Sequence, residues 1–302
     1  MSKYRHKLAV ISLTLISLGG LLTMFSPQLF GKSAVPAALE GIVGDPKNGE
    51  YVLRMSGCVA CHTDIDNEGE FLAGGPAIET NFGRFYAPNI TPDMQNGIGG
   101  WSLNDMYDAL TSGISPENEH YYPVFPYTSY HKLKRQDIAD LKAYLDLVTP
   151  SSNVSQAHEL SWPISERRLL GVWKWLNFNP IQPDKKADNA AELSRGKYLV
   201  DGPGHCGECH SARNILGGTD QSMPLTGNLN GPDGNPVPAI IGPDADIKHW
   251  DKLDLMFYLQ TGIQADGDAA GGAMSEVIFE STSYLEDDDV EAIAAYLLKK
   301  LP

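Results

Sequence analysis

All four cysteines of the 302-residue chain lie in two copies of one pattern, Cys-x-x-Cys-His. This pattern is the attachment signature of c-type haem, in which two thiols bind the porphyrin and the adjacent histidine binds the iron as the proximal ligand. The sequence therefore predicts two covalently bound haem c groups. The attachment residues are Cys58, Cys61 and His62 for the first group and Cys206, Cys209 and His210 for the second.

Paired cysteines also occur in zinc sites and in the disulfide bonds of exported proteins. Neither alternative explains why a histidine directly follows each pair. A zinc site would also bring its two pairs closer together in sequence than Cys58 and Cys206 are. The histidines therefore favour haem over both alternatives.

An uncharged, largely apolar run at residues 8–31 follows several basic residues at the N-terminus. As a helix, 24 residues would reach about 36 Å, enough to cross a hydrocarbon core of about 30 Å. We therefore expect segment 1–33 to be a signal or anchor helix, and its length favours an anchor over a signal cleaved after Ala37. The positive-inside rule places the rest of the chain on the periplasmic side of the bacterial inner membrane.

Composition restricts the fold and the partners. The 23 Lys and Arg residues face 38 Asp and Glu residues, which gives a formal net charge of -15 and argues against nucleic acid as a partner. The 30 glycines and 20 prolines predict short helices joined by long irregular loops, and therefore an all-α fold. Covalently attached haem would supply the order that such loops lack.

The chain also contains an internal repeat. Residues 49–53 match residues 196–200, and further matches follow downstream at slightly larger offsets. The repeat predicts a first domain at 45–149, a linker at 150–190 and a second domain at 191–302. Each unit is expected to have three helices: one carrying the cysteines, then 102–112 and 135–148 in the first unit, and 250–261 and 286–300 in the second.

The linker is rich in aromatic residues and contains a short amphipathic stretch at 165–178. Its large aromatic side chains are Trp162, Trp173, Trp175 and Phe178. They either pack the two units together or contact a membrane surface or a partner subunit.

The sixth iron ligand differs between the two units. Met274 lies in a glycine-rich segment downstream of His210, where a thioether ligand is expected. The repeat places Phe125 at the equivalent position of the first unit, and a phenyl ring cannot bind iron. The alternatives for the first haem are His120, His131, Met94 or an open iron.

Five sequence segments carry a family resemblance. They are YAPNITPD at 86–93, GIGGWS at 97–102, YPVFPY at 122–127, GHCGECH at 204–210 and GGAM at 271–274. With them the chain resembles the dihaem c-type cytochromes related to the cytochrome c subunits of membrane-bound bacterial alcohol and gluconate dehydrogenases. The resemblance implies two tandem class I cytochrome c domains. Those dehydrogenase subunits usually carry three haems, and usually a methionine where Phe125 stands.

The resemblance implies that the chain relays electrons from a partner dehydrogenase to a quinone, cytochrome or oxidase acceptor of the respiratory chain. This makes an electron-transfer protein the leading hypothesis, without catalytic residues of its own. The alternative is a dihaem enzyme, a peroxidase or a thiosulfate-oxidising enzyme, with the first haem as catalytic centre. The missing methionine favours this alternative, but no paired carboxylates near Cys58 indicate a substrate site.

Overall fold

The computed structural model describes residues 41–178, 191–231 and 234–301, together with residues 17, 19 and 39. Apart from residues 17 and 19, the segment predicted as a signal or anchor helix lies outside this set, so it stays a prediction. Within the described part of the chain, no helix has both the length and the apolar character needed to cross a bilayer.

Helices arranged in the same order make up the two halves of the chain. Those of the N-terminal unit (residues 41–149) are α1 (Pro46–Met55), α2 (Cys58–His62), α3 (Leu103–Ser112), α4 (Tyr127–Tyr130) and α5 (Arg135–Leu145). Helix α6 (Leu170–Asn177) lies in the linker. Those of the C-terminal unit (residues 191–301) are α7 (Ala191–Asp201), α8 (Gly207–His210), α9 (Lys252–Thr261), α10 (Ala273–Glu280) and α11 (Asp287–Leu298). The helices predicted after each haem motif are confirmed as α3, α5, α9 and α11.

The sequence predicted that the first helix of each unit carries the cysteines, and this prediction is wrong. Helix α1 ends at Met55, and Gly57 adopts a left-handed conformation with φ of 63° before α2 begins at Cys58. A left-handed residue after the last helical turn stops an α-helix. Each motif is therefore a separate short helix, α2 or α8, which follows the first helix of its unit.

Capping fixes where the second helix of each unit begins and ends. Ser102 and Asp105 form a capping box at the start of α3, and Asp251 and Asp254 form the same box at the start of α9. Each pair satisfies backbone N–H groups that the first helical turn leaves without partners. A left-handed glycine follows each helix and ends it.

A small antiparallel sheet corrects the all-α prediction. Strands β1 (Ala77–Thr80), β2 (Gly83–Tyr86) and β3 (Glu159–Leu160) lie in this order, with Ala77 opposite Tyr86 and Arg84 opposite Glu159. Strands of two to four residues are too short to show an alternating pattern in the sequence. The chain is mostly helical, and this sheet joins the N-terminal unit to the start of the linker.

Close helix crossings at glycine shape each unit. Helix α1 packs on α5, and α7 packs on α11. A Cβ atom on Gly49 would lie 1.9 Å from the Asp140 carbonyl oxygen, and one on Gly196 would lie 1.9 Å from that of Ala292. The two crossings are equivalent, and both exclude every residue larger than glycine.

We expect Gly196→Ala to lower the free energy of unfolding by about 1–3 kcal/mol, because the added methyl group forces α7 away from α11. Gly49→Ala should have a similar effect on the N-terminal unit. Gly100→Ala is the control, since its Cβ would meet nothing closer than 3.9 Å. Urea denaturation of the three variants measures the effect, and equal midpoints for Gly196→Ala and Gly100→Ala would contradict this packing.

The core runs through both units. One face of α5 is buried at Ile138, Leu141 and Leu145, which recur at helical spacing and are at most 2% exposed. Val290 and Leu297 occupy the same face of α11 and are at most 3% exposed. These residues belong to one apolar cluster that both units share.

Two tyrosine–aspartate hydrogen bonds cross between the units. Tyr51 of α1 donates to Asp289 of α11 at 2.5 Å, and Tyr198 of α7 donates to Asp137 of α5. The two tyrosines are equivalent in the repeat, as are the two aspartates. Arg195 also binds Asp289, with nitrogen–oxygen distances of 2.6 and 2.7 Å. Each unit therefore supplies one tyrosine and one aspartate to the contact between the units.

The linker helix contacts both units. Lys174, which is fully buried, donates to the carbonyl oxygens of Ser112 and Gly113 at the end of α3. The Trp173 indole N–H donates to the carbonyl oxygen of Leu216 in the C-terminal unit at 2.7 Å. Trp175, on the same helix, is 66% exposed. Helix α6 therefore packs the two units together and also presents an aromatic side chain to solvent.

Candidate haem-binding sites

The two Cys-x-x-Cys-His motifs form one helical turn each. Cys58 begins α2, and Cys206 is the N-cap residue of α8. In each motif the second cysteine follows the first by three residues, so both thiols lie close to one side of the turn. All four cysteines are free thiols. Burial raises the pKa of Cys58 and of Cys206 to about 12 and that of Cys61 to about 11. Neither pair forms a disulfide, so all four sulfur atoms are available to attach a porphyrin.

Both motif histidines are oriented by a proline carbonyl. His62 Nδ1 lies 2.7 Å from the Pro88 carbonyl oxygen, and His210 Nδ1 lies 2.8 Å from that of Pro238. A carbonyl oxygen only accepts, so Nδ1 carries the proton and the Nε2 lone pair is left for a metal. Burial lowers the pKa of both imidazoles, which favours the neutral form that binds metal.

The loops that carry these prolines have the same construction. Thr63, next to His62, accepts from the Leu72 N–H through its hydroxyl, and Ser211, next to His210, accepts from the Leu225 N–H. Both leucines have positive φ, 59° and 64°. Backbone bonds from Gly74 to His62 and from Gly227 to His210 tie each loop to its motif. A non-glycine residue at positive φ costs energy, so the tertiary structure holds both loops in place.

The donor set fits haem c at both motifs. Each offers two free thiols within one helical turn, which is the arrangement that two thioether bonds require, and one imidazole with its Nε2 available to iron. The Gly75 backbone approaches the first motif so closely that a Cβ atom would lie 1.7 Å from the Cys61 carbonyl oxygen. The described residues contain no cluster of three His, Cys, Asp or Glu side chains that could hold a metal ion alone.

Glu208, inside the second motif, binds the N-terminal unit. It accepts hydrogen bonds from Thr128 and Ser129 of α4, both at 2.7 Å, and pairs with Arg213 at 3.0 Å. Burial by itself raises the pKa of this carboxyl, but Arg213 and the hydroxyl donors outweigh burial and hold the pKa below its usual value. Our sequence interpretation assigned no role to these residues. The position of Glu208 between the two cysteines was the one feature of the sequence that could have indicated such a contact.

Met274 lies in a helix that begins directly after the two glycines of its segment. It is the second residue of α10, partly buried, and packs against the shared core. The hydrogen bonds before it repeat those of the N-terminal unit, with Ala270 bonded to Gly262 as Tyr121 is bonded to Gly113. Gly113 and Tyr121 therefore correspond to Gly262 and Ala270, so the two units match at a constant spacing of 149 residues up to four residues before Met274. Its role as iron ligand stays a prediction.

Phe125 is in contact with aromatic neighbours. Its ring lies 5.8 Å from that of Tyr130 and 5.6 Å from that of Tyr121, in edge-to-face geometry. Helix α4 follows directly, and it is four residues long, whereas α10 has eight.

The other candidate ligands of the first haem occupy different environments. His120 is 5% exposed, and within the described chain the Nδ1 atoms of His120 and His131 have no hydrogen-bond partner. Burial lowers the pKa of both to about 4, so both are neutral imidazoles at neutral pH. His131 packs on Phe178 of the linker, with ring centres 5.4 Å apart. Met94 is 73% exposed.

Comparison with known proteins identifies the family. The family model described as cytochrome c matches residues 46–149. A protein of Cereibacter sphaeroides named "Diheme cytochrome c-type" is 44% identical over 270 residues, which cover 88% of this chain and 89% of that protein.

Several relatives are subunits of dehydrogenases. The cytochrome c subunit of the quinone alcohol dehydrogenase of Gluconobacter oxydans is 36% identical, over 90% of this chain and 57% of that subunit. The fructose dehydrogenase cytochrome subunit of Gluconobacter japonicus is 39% identical, over 82% of this chain and 51% of that subunit. The chain thus spans little more than half the length of these two subunits. It belongs to the cytochrome c family of haem-binding electron-transfer proteins, as a relative of the dihaem c-type cytochromes and of the cytochrome c subunits of bacterial dehydrogenases.

Proposed function

We propose that this protein is a dihaem cytochrome c that relays single electrons from a dehydrogenase to the respiratory chain. One haem c is held by Cys58, Cys61 and His62, and the other by Cys206, Cys209 and His210. The observation that carries this proposal is the matching orientation of the two histidines, each with Nδ1 fixed by a proline carbonyl. A site for one haem would require only one such arrangement.

The chain's own residues define what each site does. Covalently bound haem supplies an iron that alternates between the ferric and ferrous states. The histidines provide the proximal nitrogen, and their proline partners fix the tautomer and the ring orientation. Met274 provides the sixth ligand of the second haem, and its thioether sulfur favours the ferrous state. The two units then act as tandem class I cytochrome c domains with different potentials, because Phe125 stands where the first unit would carry such a ligand.

The relatives support a dehydrogenase as the electron donor, since they include proteins named as cytochrome subunits of alcohol, fructose and gluconate dehydrogenases. The acceptor is a quinone, a cytochrome or an oxidase. The apolar run at 8–31 anchors the protein to the periplasmic face of the inner membrane. The net charge of -15 favours a docking surface of positive charge on the partner.

Membrane fractionation and purification of the full chain test this proposal. Detergent, and not high salt, should release the protein, and a dehydrogenase should copurify with it. Addition of that enzyme's substrate should reduce both haems. The reduction should become slower as the salt concentration rises, because salt screens the attraction between exposed charges. At physiological ionic strength this attraction reaches only about 8 Å. Recovery in the soluble fraction without any dehydrogenase, together with haems that no substrate reduces, would refute the proposal.

One observation favours a second function, that of a dihaem enzyme. Phe125 leaves the first haem without the methionine expected from the repeat, so its iron could be open to a small substrate. Carbon monoxide or cyanide should then bind the first haem of the wild type. If a histidine is the sixth ligand instead, His120→Ala or His131→Ala should create that binding and change the ferric electron paramagnetic resonance spectrum of one haem only.

A further inference from the structure

Helix α4 contacts the backbone that leads into the first motif. Tyr130, its last residue, is 5% exposed and donates its hydroxyl to the Ser56 carbonyl oxygen at 2.6 Å. Ser56 and Gly57 connect α1 to Cys58, the first residue of the motif. The Tyr130 hydroxyl therefore contacts the backbone two residues before Cys58.

His205, directly before Cys206 of the second motif, packs on the same place. Its ring lies edge-to-face with that of Tyr130, at 5.5 Å and 72°. A Cβ atom on Gly57 would lie 3.6 Å from its Nε2, and its imidazole interacts with the Ser56 backbone. The φ of His205 is 38°, a strained value for a residue with a side chain. Surrounding contacts hold His205 in this position against that strain.

Glu208 holds the other end of α4. Its carboxylate accepts from Thr128 and Ser129, so the second motif is bonded to the start of the helix whose last residue reaches Ser56. A chain of covalent bonds, hydrogen bonds and packed rings thus joins Cys58 to Cys206. Electronic coupling between two centres decreases steeply where a route crosses empty space. A route without such a break is the arrangement that fast exchange requires.

We propose that Tyr130 and His205 form the bridge through which the two haem sites exchange electrons. The bridge rests on the proposed function, since it requires a haem at each motif. One electron passes between the sites, so one iron is oxidised and the other is reduced, with no bond formed and no proton transferred. Tyr130 and His205 are positioning residues: they hold the segments 56–58 and 205–206 together and set the coupling between the sites.

Flash photoreduction of the full, haem-loaded chain tests the bridge by following electron equilibration between the two haems. Tyr130→Phe removes only the hydroxyl bonded to Ser56, and His205→Ala removes the ring. We expect each to slow the intramolecular rate several-fold, with haem content and absorption spectra unchanged. Tyr144→Phe, on α5, is the matched control and should keep the wild-type rate.

Rates equal to the wild type in both variants would overturn the bridge. If His205→Ala fails to load haem, Tyr130→Phe decides the question, since the phenylalanine ring keeps the packing. Ferric electron paramagnetic resonance adds a readout independent of rate, because a shift of the units would change the magnetic interaction between the haems. A wild-type content of one haem would overturn the proposed function itself, and the bridge with it.

Discussion

Replacing Cys206 and Cys209 by serine is expected to remove one of two covalently bound haems from the chain. A serine hydroxyl cannot form the thioether bond that attaches the porphyrin, and His210 alone offers a single ligand. The ratio of haem to protein, measured by pyridine haemochrome and by haem staining after denaturation, should fall by half. The Cys58→Ser, Cys61→Ser variant should lose the other haem to the same extent.

The two double variants are controls for each other, since each leaves one motif intact. The remaining haem should be the one with methionine ligation when the first motif is altered, and the one without it when the second is altered. If either double variant keeps its full haem content, the altered motif does not attach haem. The fold also depends on these groups, so both variants should unfold at lower urea concentration than the wild type.

The second large effect is expected from Met274→Ala. Axial ligands change haem potentials over a range of about 0.8 V, and we expect loss of the thioether to lower the second haem's potential by on the order of 0.2 V. A thioether stabilises ferrous iron, so its removal favours the ferric state. Redox titration of the purified chain should show one potential decreased and the other unchanged, with the haem content still at two.

Met256→Ala is the matched control. Met256 lies on α9 of the same unit and is partly buried against the same core, so it reproduces the loss of packing without the loss of a ligand. A large decrease in potential in Met274→Ala alone supports ligation. If both variants keep the wild-type potentials, Met274 only fills the core and is not the sixth ligand.

The sequence by itself determined the local features of this protein. The attachment pattern could be recognised because haem c requires two thiols and a histidine within five consecutive residues. Helices α5 and α11 could be predicted because their apolar positions recur at helical spacing and bury one face, and α3 and α9 because the internal repeat matches them with each other. The difference between the two units at Phe125 was also visible in the sequence, because it requires only a comparison of Phe125 with Met274 at equivalent positions of the repeat. The three-stranded sheet was missed, since its strands are too short to show a period.

Only the tertiary structure decided how these local features meet. Pro88 and Pro238 orient the two histidines from 26 and 28 residues downstream, and the repeat offset does not match one proline with the other. Tyr51 reaches an aspartate 238 residues away, and Tyr130 reaches a carbonyl 74 residues away. Such contacts carry no sequence period, because they join residues that lie far apart in the chain, either within one unit or across the two units. Chain folding in three dimensions, and not local propensity, therefore set the histidine tautomers and the bridge between the motifs.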